Sequence, residues 1–466
     1  MIVLAGGDLV LPDGIRTRAS LVVDEARIAA VESGARVDPA GASIVAIDNC
    51  YVVPGFIDVH VHGVDGYDTL DSGDPVADIA ARLPRYGVTA FCPTTVACAP
   101  QALRRVLAQV AGARVEHVPD SARVLPAHLE SNFINPDYRG AQPGECLRLP
   151  GPAEAGHYVR RPGGARRGIS RPRGAQREMR GPDAAQREIR WQDAPPREIR
   201  WPGSRPRDLR RPGAAQRTRR DQPGDFSASD ILDVIAAARS DVGIVTLAPE
   251  LPGGLELVRT LVSAGHRVSL GHSGASLDEA LAAIELGARH ATHLFNGMAP
   301  MTHRSPGVAG AVLTHDDVTA ELICDGYHVH PAMSRIAIRS KGVGRIMAIT
   351  DGTSGSGLDV GARAYLGGRR IHVTEHAAVL DEGTLAGSTL TMDRAFKTIV
   401  TVFGLTVVEA AMLCSTTPAR ELGLSGFGVL AVDAHADLVV LDRSFRVVRT
   451  FVGGREVYSR EDAMVR

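Results

Sequence analysis

The histidines and carboxylates best placed for chemistry stand at the ends of short apolar runs. His60 and His62 lie two apart in FIDVHVHG. Side chains alternate along a strand, so both face one way, and two imidazoles on one rigid wall suit a divalent metal. Glu130 closes the run AHLE, where a carboxylate is costly to bury without a cation to meet it. His128 shares its face and is read as a supporting or structural residue. His272 in SLGHSG and His293 in ATHLFNGM each follow an apolar run and precede a loop. Asp351 ends a further run in MAITDGT, where a carboxylate beside activated water can take its proton and later return it to a leaving amine. Together His60, His62, Glu130, His272, His293 and Asp351 predict a convergent, metal-dependent hydrolytic site. These ligand types suit Zn, Fe, Mn or Co comparably, as one ion or two. His290, three residues before His293, is assigned to the opposite face of its strand and left out.

Polar loops around these residues are fit for substrate contact. Asn296 and Gly297 follow His293, Arg304 sits in MTHRSPG and His328 in CDGYHVHP. The guanidinium fork of Arg304 matches phosphate or carboxylate. Asp325 and His330 are as easily structural. The stretch LDEGTLAGSTLTMDRA could line a sugar pocket with its backbone, or simply mark a loop entering a helix.

The elements that must position these residues follow a regular rhythm. Apolar runs at 56–62, 88–95, 123–130, 242–249, 267–272, 288–293, 319–325 and 345–351 read as strands. Helical stretches are predicted at 75–86, 100–111, 228–240, 254–264, 276–286 and 331–341, with Asp74, Ser227 and Ser276 as N-caps. Eight strands alternating with helices indicate an α/β chain folded as a (β/α)8 TIM barrel, whose active site gathers at the C-terminal ends of the strands. The predicted barrel spans 54–388. Residues 1–53 and 426–466 alternate like strands and are assigned to one small β-sandwich built from both termini, with bridging helices over 389–425.

An insertion over 147–224 interrupts this rhythm after the third strand. It holds 20 arginines and eight acidic residues, while the whole chain has a net charge of −1, so the remainder is acidic. From Ala175 it repeats every ten residues, as in AQREMRGPDA, AQREIRWQDA and PPREIRWPGS. Proline and a single apolar residue per unit predict a disordered, low-complexity segment. Arginine with interleaved Trp191 and Trp201 is the one feature that could engage nucleic acid or another polyanion. No apolar run approaches a membrane span, and the opening MIVLAGGDLVLPDG alternates like a strand rather than a leader. Six scattered cysteines without a CxxC pair fit neither a disulfide framework nor a thiolate zinc site, and suggest a cytoplasmic enzyme.

The segments PGFIDVHVHG, AHLES, SLGHSG, THLFNGM, THRSPG, ICDGYHVHP, ITDGT and AGSTLTMDRA occur in this order. In that order they resemble the N-acetylglucosamine-6-phosphate deacetylases of the amidohydrolase superfamily, over nearly the whole chain apart from the insertion. The resemblance implies a hydrolase of amino-sugar metabolism that removes the acetyl group from N-acetylglucosamine 6-phosphate. N-acetylgalactosamine 6-phosphate is the alternative substrate. It further implies Glu130, His272 and His293 as principal metal ligands, His60 and His62 as ligands of a second ion, and Asp351 as catalytic acid and base. Asn296, Gly297, Arg304, His328, Gln142, Leu385 and Gly387 become substrate contacts. In the family a histidine like His328 can come from the partner in a dimer, so a homodimer is expected. Two positions depart from the family pattern: Ser131-Asn132 replaces Gly-Pro, and Gln142 replaces a histidine near the substrate. Lys341 and Lys397 are the only lysines. Neither is placed for carbamylation, which sets the chain apart from hydantoinase-like relatives.

Overall fold

The structure, a computed structural model, describes residues 1–34, 41–116, 118, 120–151 and 225–461. The apolar runs become the strands of a parallel barrel: Phe56–Val61, Val88–Thr95, Ala127–Glu130, Val242–Leu247, Arg267–Leu270, His290–Ala291, Thr319–Ile323 and Ile346–Ile349. Each pairs in parallel with the next. Val61 bridges to Gly352 to close the ring, with Asp351 N donating to His60 O at 2.9 Å and His62 N to Gly352 O at 2.8 Å. Barrel strands are covered on both faces, so they lack polar alternation; every residue of Phe56–Val61, Val88–Thr95 and Thr319–Ile323 is buried.

Helices Pro75–Arg82, Pro100–Val115, Ala228–Ala237, Gly254–Ser263, Leu277–Glu285, Gly307–Thr314 and Pro331–Lys341 pack around the barrel. Ser227 and Ser276 open theirs with capping boxes completed by Asp230 and Glu279. Asp74 makes no side-chain cap; Pro75, with its φ already set, starts that helix. The helix Gly307–Thr314 was not predicted because GVAGAVLT is buried on nearly every side and has no polar stripe to mark its period.

Strands from both chain ends share one sheet, in the order Arg455–Ser459, Val447–Val452, Leu438–Leu441, Tyr51–Pro54, Ile2–Leu11, Gly14–Asp24, Arg27–Glu32. Ser43–Ala46 also pairs with Ile2–Leu11. Leu4, Leu9, Leu21, Val52, Leu438 and Phe451 form a core of its own there. After Tyr51–Pro54 the chain passes through Gly55 straight into the first barrel strand, so the segment bearing His60 and His62 is anchored from behind. Helices Met392–Thr401 and Val407–Ala411, a π turn at Met412–Thr416 and a last turn at Thr417–Glu421 lead back to the sheet. A small sheet of Arg363–Leu366, Arg369–Val373 and Ala378–Leu380, unforeseen from the sequence, fills the connection after the eighth strand.

The ten-residue repeats, with the disorder and polyanion binding expected of them, lie outside the described residues. Among the described residues no helix is long and apolar enough to cross a membrane.

Phe56 starts the first strand fully buried and stacks on Phe396, with ring centroids 5.4 Å apart. Phe56→Ala is expected to destabilise the chain by about 3–5 kcal/mol. Urea denaturation followed by circular dichroism would register it as a lower midpoint.

Candidate active site

The strand-end residues meet at one end of the barrel with Glu130 as their hub. Glu130 Oε1 lies 2.8 Å from both His272 Nε2 and His293 Nε2, which are 3.1 Å from each other. His60 and His62 approach from the first strand, Nε2 to Nε2 at 3.3 Å, with His62 Nε2 3.5 Å from Glu130 Oε2. Asp351 Oδ1 stands 3.4 Å from His60 Nε2 and 3.3 Å from His62 Nε2. All six residues are buried.

Three of them leave their strands through left-handed backbone: His272 at φ 47°, His293 at 27° and Asp351 at 47°. Such a conformation costs on the order of 1–3 kcal/mol for a side-chain-bearing residue, and it turns these side chains inward. Two glycines make room beside them. A Cβ on Gly297 (φ 57°) would lie 2.9 Å from His272 Nδ1, and one on Gly387 (φ 71°) 2.9 Å from the Asp351 carbonyl oxygen.

Charge holds the cluster together. Burial opposes ionisation of Glu130, yet the His272 imidazole, aided by His293 and His62, holds its carboxyl well below the ordinary range. Burial likewise presses His293 and His62 downward. Glu130 outweighs it at His293, raised to about 9, and Asp351 with Glu130 outweighs it at His62, raised to about 10. Asp351 is lowered against its burial, first by His60 and then by His62.

The donor set fits a divalent ion. His272 Nδ1 faces the Tyr138 carbonyl at 2.8 Å and must donate to it, which leaves Nε2 as the ring nitrogen turned toward Glu130 and His293. A divalent ion would take the place of the protons these ring nitrogens share with the carboxylate, and Glu130, His272 and His293 form a group that could hold one, as do His60, His62 and Glu130.

Glu321 was not flagged from the sequence. It lies inside the barrel, fully buried, with Oε2 2.8 Å from His60 Nδ1 and Oε1 2.9 Å from His290 Nε2. Its signal was the one that marked Glu130, an acid inside the apolar strand TAELI. His290, assigned to the opposite face, points into the barrel. The sixth strand is only two residues long, and the left-handed turn at His293 breaks the alternation on which that assignment rested. His128 is buried among structural partners, its Nδ1 3.0 Å from Val59 O and its Nε2 2.8 Å from Thr246 Oγ1.

Asn296, Gly297, His328, Leu385, Gly387 and Gln142 border a pocket of about 160 Å3 that opens over Glu130, His272, His293 and Asp351. Arg304 does not border it; its side chain is exposed on the loop before helix Gly307–Thr314. His328 Nδ1 is 2.5 Å from Asp325 Oδ2, and its buried Nε2 has no hydrogen-bond partner. It reaches the pocket of its own chain. His330 caps the helix that follows it. Ser131 and Asn132 turn into the scaffold: Ser131 Oγ donates to Thr246 O, and Asn132 Nδ2 donates to Cys98 O at 2.8 Å and Cys146 O at 2.7 Å. Gln142 is committed at both ends. Its Oε1 accepts from Ala97 N at 2.7 Å while its Nε2 donates to Glu130 Oε2.

A parallel barrel whose strand ends deliver these histidines and carboxylates defines a hydrolase of the amidohydrolase superfamily, and the amidohydrolase family model matches residues 242–457. The N-acetylglucosamine-6-phosphate deacetylase of Rattus norvegicus is 33% identical over 429 residues, covering 88% of this chain and 84% of that protein. The N-acetylgalactosamine-6-phosphate deacetylase of Escherichia coli O157:H7 is 29% identical over 424 residues, covering 90% and 91%. A solved Mycobacterium smegmatis N-acetyl-D-glucosamine-6-phosphate deacetylase, a mutant in complex with N-acetyl-D-glucosamine-6-phosphate, superposes with a TM-score of 0.74 at 27% identity, covering 98% of this chain and 99% of that one. The chain belongs to the N-acetylglucosamine-6-phosphate deacetylase family.

Gly297→Ala should push the His272 ring aside and weaken divalent-ion binding about tenfold or more. Calorimetric titration of the metal-free chain with Zn2+ measures this, with circular dichroism confirming an unchanged fold.

Proposed function

We propose that this chain hydrolyses the N-acetyl amide of N-acetylglucosamine 6-phosphate, releasing acetate and glucosamine 6-phosphate. The observation that carries the reading is the convergence of Glu130, His272 and His293 with Asp351 beneath a single pocket. Glu130, His272 and His293 would hold one divalent ion, and His60 and His62 a second. Zn, Fe, Mn and Co all suit these donors. When bound, such an ion polarises the amide carbonyl and makes water acidic enough to attack at neutral pH.

The chain's own residues supply the rest. Asp351 is kept ionised by His60 and His62 against its burial, so its carboxylate can take the proton of the attacking water. The same carboxyl then protonates the departing nitrogen as the C–N bond breaks, leaving an amine and acetate with Asp351 ionised again. His328 offers its unpartnered Nε2 to the 6-phosphate while Asp325 holds the other ring nitrogen. Leu385, Leu366 and Val96 give the pocket an apolar wall for the acetyl methyl and the sugar face. The described cysteines are all free, which suits a cytoplasmic enzyme. By its resemblance to the family the working assembly is a homodimer.

A second reading keeps the chemistry and changes the sugar to N-acetylgalactosamine 6-phosphate. Gln142 favours it, since this side chain borders the pocket at a place where the family pattern it resembles has histidine. Acetate release from both phosphates, and from the unphosphorylated sugars, separates the two readings. Asp351→Asn is expected to lower turnover about 10^2- to 10^4-fold with ion content unchanged. Unchanged turnover, or loss of the ions, would remove Asp351 from its role.

His328 adds a pH dependence. Burial lowers its pKa, but Asp325 outweighs burial and raises it above the ordinary 6.5. The imidazolium therefore persists above that value and is lost as pH climbs through the raised one. KM for the phosphorylated substrate should rise on this alkaline limb, and His328→Asn should flatten it. The unphosphorylated sugar should show no such limb, which steady-state kinetics across pH can check.

A further inference from the structure

Glu321 is used by no step described so far, yet it is among the most enclosed charged groups in the barrel. It stands on the seventh strand between Ala320 and Leu322, with no solvent exposure. Its Oε2 faces His60 Nδ1 at 2.8 Å and accepts the His293 backbone N–H at 3.1 Å, while Oε1 faces His290 Nε2 at 2.9 Å. Oε2 already accepts the His293 backbone N–H, and each oxygen faces an imidazole nitrogen, so the geometry is that of a carboxylate accepting on both sides. His60 Nδ1 and His290 Nε2 must therefore carry hydrogens toward it.

This settles which nitrogen His60 turns to the active site. With its hydrogen on Nδ1, the ring presents Nε2, 3.3 Å from His62 Nε2 and 3.4 Å from Asp351 Oδ1. The neighbouring group of His60, His128 and Glu321 also clusters closely enough to suggest an ion site of its own. Its hydrogen bonds argue otherwise. His128 donates from Nδ1 to Val59 O at 3.0 Å, and its Nε2 is taken by Thr246 Oγ1 at 2.8 Å, so no lone pair is left for a cation.

We propose that Glu321 is a positioning residue that makes His60 a metal ligand. It fixes the hydrogen on Nδ1 and sets a negative charge behind the ring, so that the His60–His62 side holds its own divalent ion beside Glu130, His272 and His293. A ligating imidazole backed by a carboxylate is a stronger donor with a fixed orientation. Glu321 itself is braced by His290 on its other oxygen, at 2.9 Å. The proposal rests on reading His60 and His62 as ion ligands, and its test separates the two.

The full-length metal-free chain is titrated with Co2+, following visible absorption and counting bound ions by elemental analysis, in parent, His60→Gln, Glu321→Gln and Glu321→Asp chains. His60→Gln should lose one ion. Glu321→Gln should weaken that same ion about 10- to 100-fold and leave the other unchanged, with Glu321→Asp recovering part of the loss. In the His60→Gln background, Glu321→Gln should change nothing further. An unchanged ion count in His60→Gln overturns the ligand reading itself. Loss in His60→Gln with unaltered binding in Glu321→Gln overturns the role of Glu321 alone. Should Glu321→Gln fail to fold, the parent loaded with 113Cd and 15N-histidine decides by nuclear magnetic resonance. Cadmium coupling to His60 Nε2 with a hydrogen on Nδ1 supports the proposal, and coupling to Nδ1 overturns it.

Discussion

A carboxylate carried on an apolar strand and buried there stays charged only if positive charge meets it. Three of the buried carboxylates in this barrel, Glu130, Asp351 and Glu321, have imidazole nitrogens around them. Glu130 is met by His272 and His293 at 2.8 Å, Asp351 by His60 and His62 within 3.4 Å, and Glu321 by His60 and His290 within 2.9 Å. His60 belongs to two of these pairings, one at each ring nitrogen. Upper and lower carboxylates are thereby linked through one imidazole, and a disturbance of either reaches the other. The polar interior is a continuous chain of carboxylates and imidazoles, and the rest of the fold serves to hold its members at these separations.

Backbone arrangement follows from that requirement. Period-two alternation alone would send every second residue outward, yet His272, His293 and Asp351 must all point in from positions just past their strands. Each does so in a left-handed conformation, which the surrounding hydrogen bonds over-determine. Asp351 is held by its own N–H on His60 O and by Ser388 N–H on its carbonyl oxygen. Asp351, the carboxylate proposed as acid and base, thus sits on the seam where the last strand meets the first, and closing the barrel also aims its side chain.

The barrel was legible because its strands are buried on both faces and read as unbroken apolar runs ending in polar residues. Glu130, His272, His293 and Asp351 stood out for the same reason. What stayed hidden had no local signature. Helix Gly307–Thr314 lacks a polar stripe, and the small sheet after Ile349 is too short to show alternation. Glu321 carried the right signal, an acid within an apolar strand, but its value depends on a neighbour 261 positions away in the chain. His290 was misplaced because period two fails on a two-residue strand. Arg304 has the chemistry and the family position of an anion contact, but neither says which way an exposed loop turns, and here its side chain lies away from the pocket.

The departures from the family pattern acquire different weights once their partners are known. Ser131 and Asn132 spend their polar atoms on backbone carbonyls of adjoining segments, so they replace one way of bracing the loop with another. Gln142 differs in kind. With Oε1 accepting from Ala97 N, its amide cannot flip without leaving that N–H unanswered, so Nε2 is fixed as a donor to Glu130 Oε2. A glutamine so held brings no charge to the pocket, and the second hydrogen on Nε2 is the one donor it has left for a sugar hydroxyl. Gln142 shares the pocket lining with the apolar edge of Leu385 and Leu366 and with Asn296 and His328. A pocket with this division can test the sugar's shape and its phosphate separately, because the groups that meet each are carried by different strands' loops.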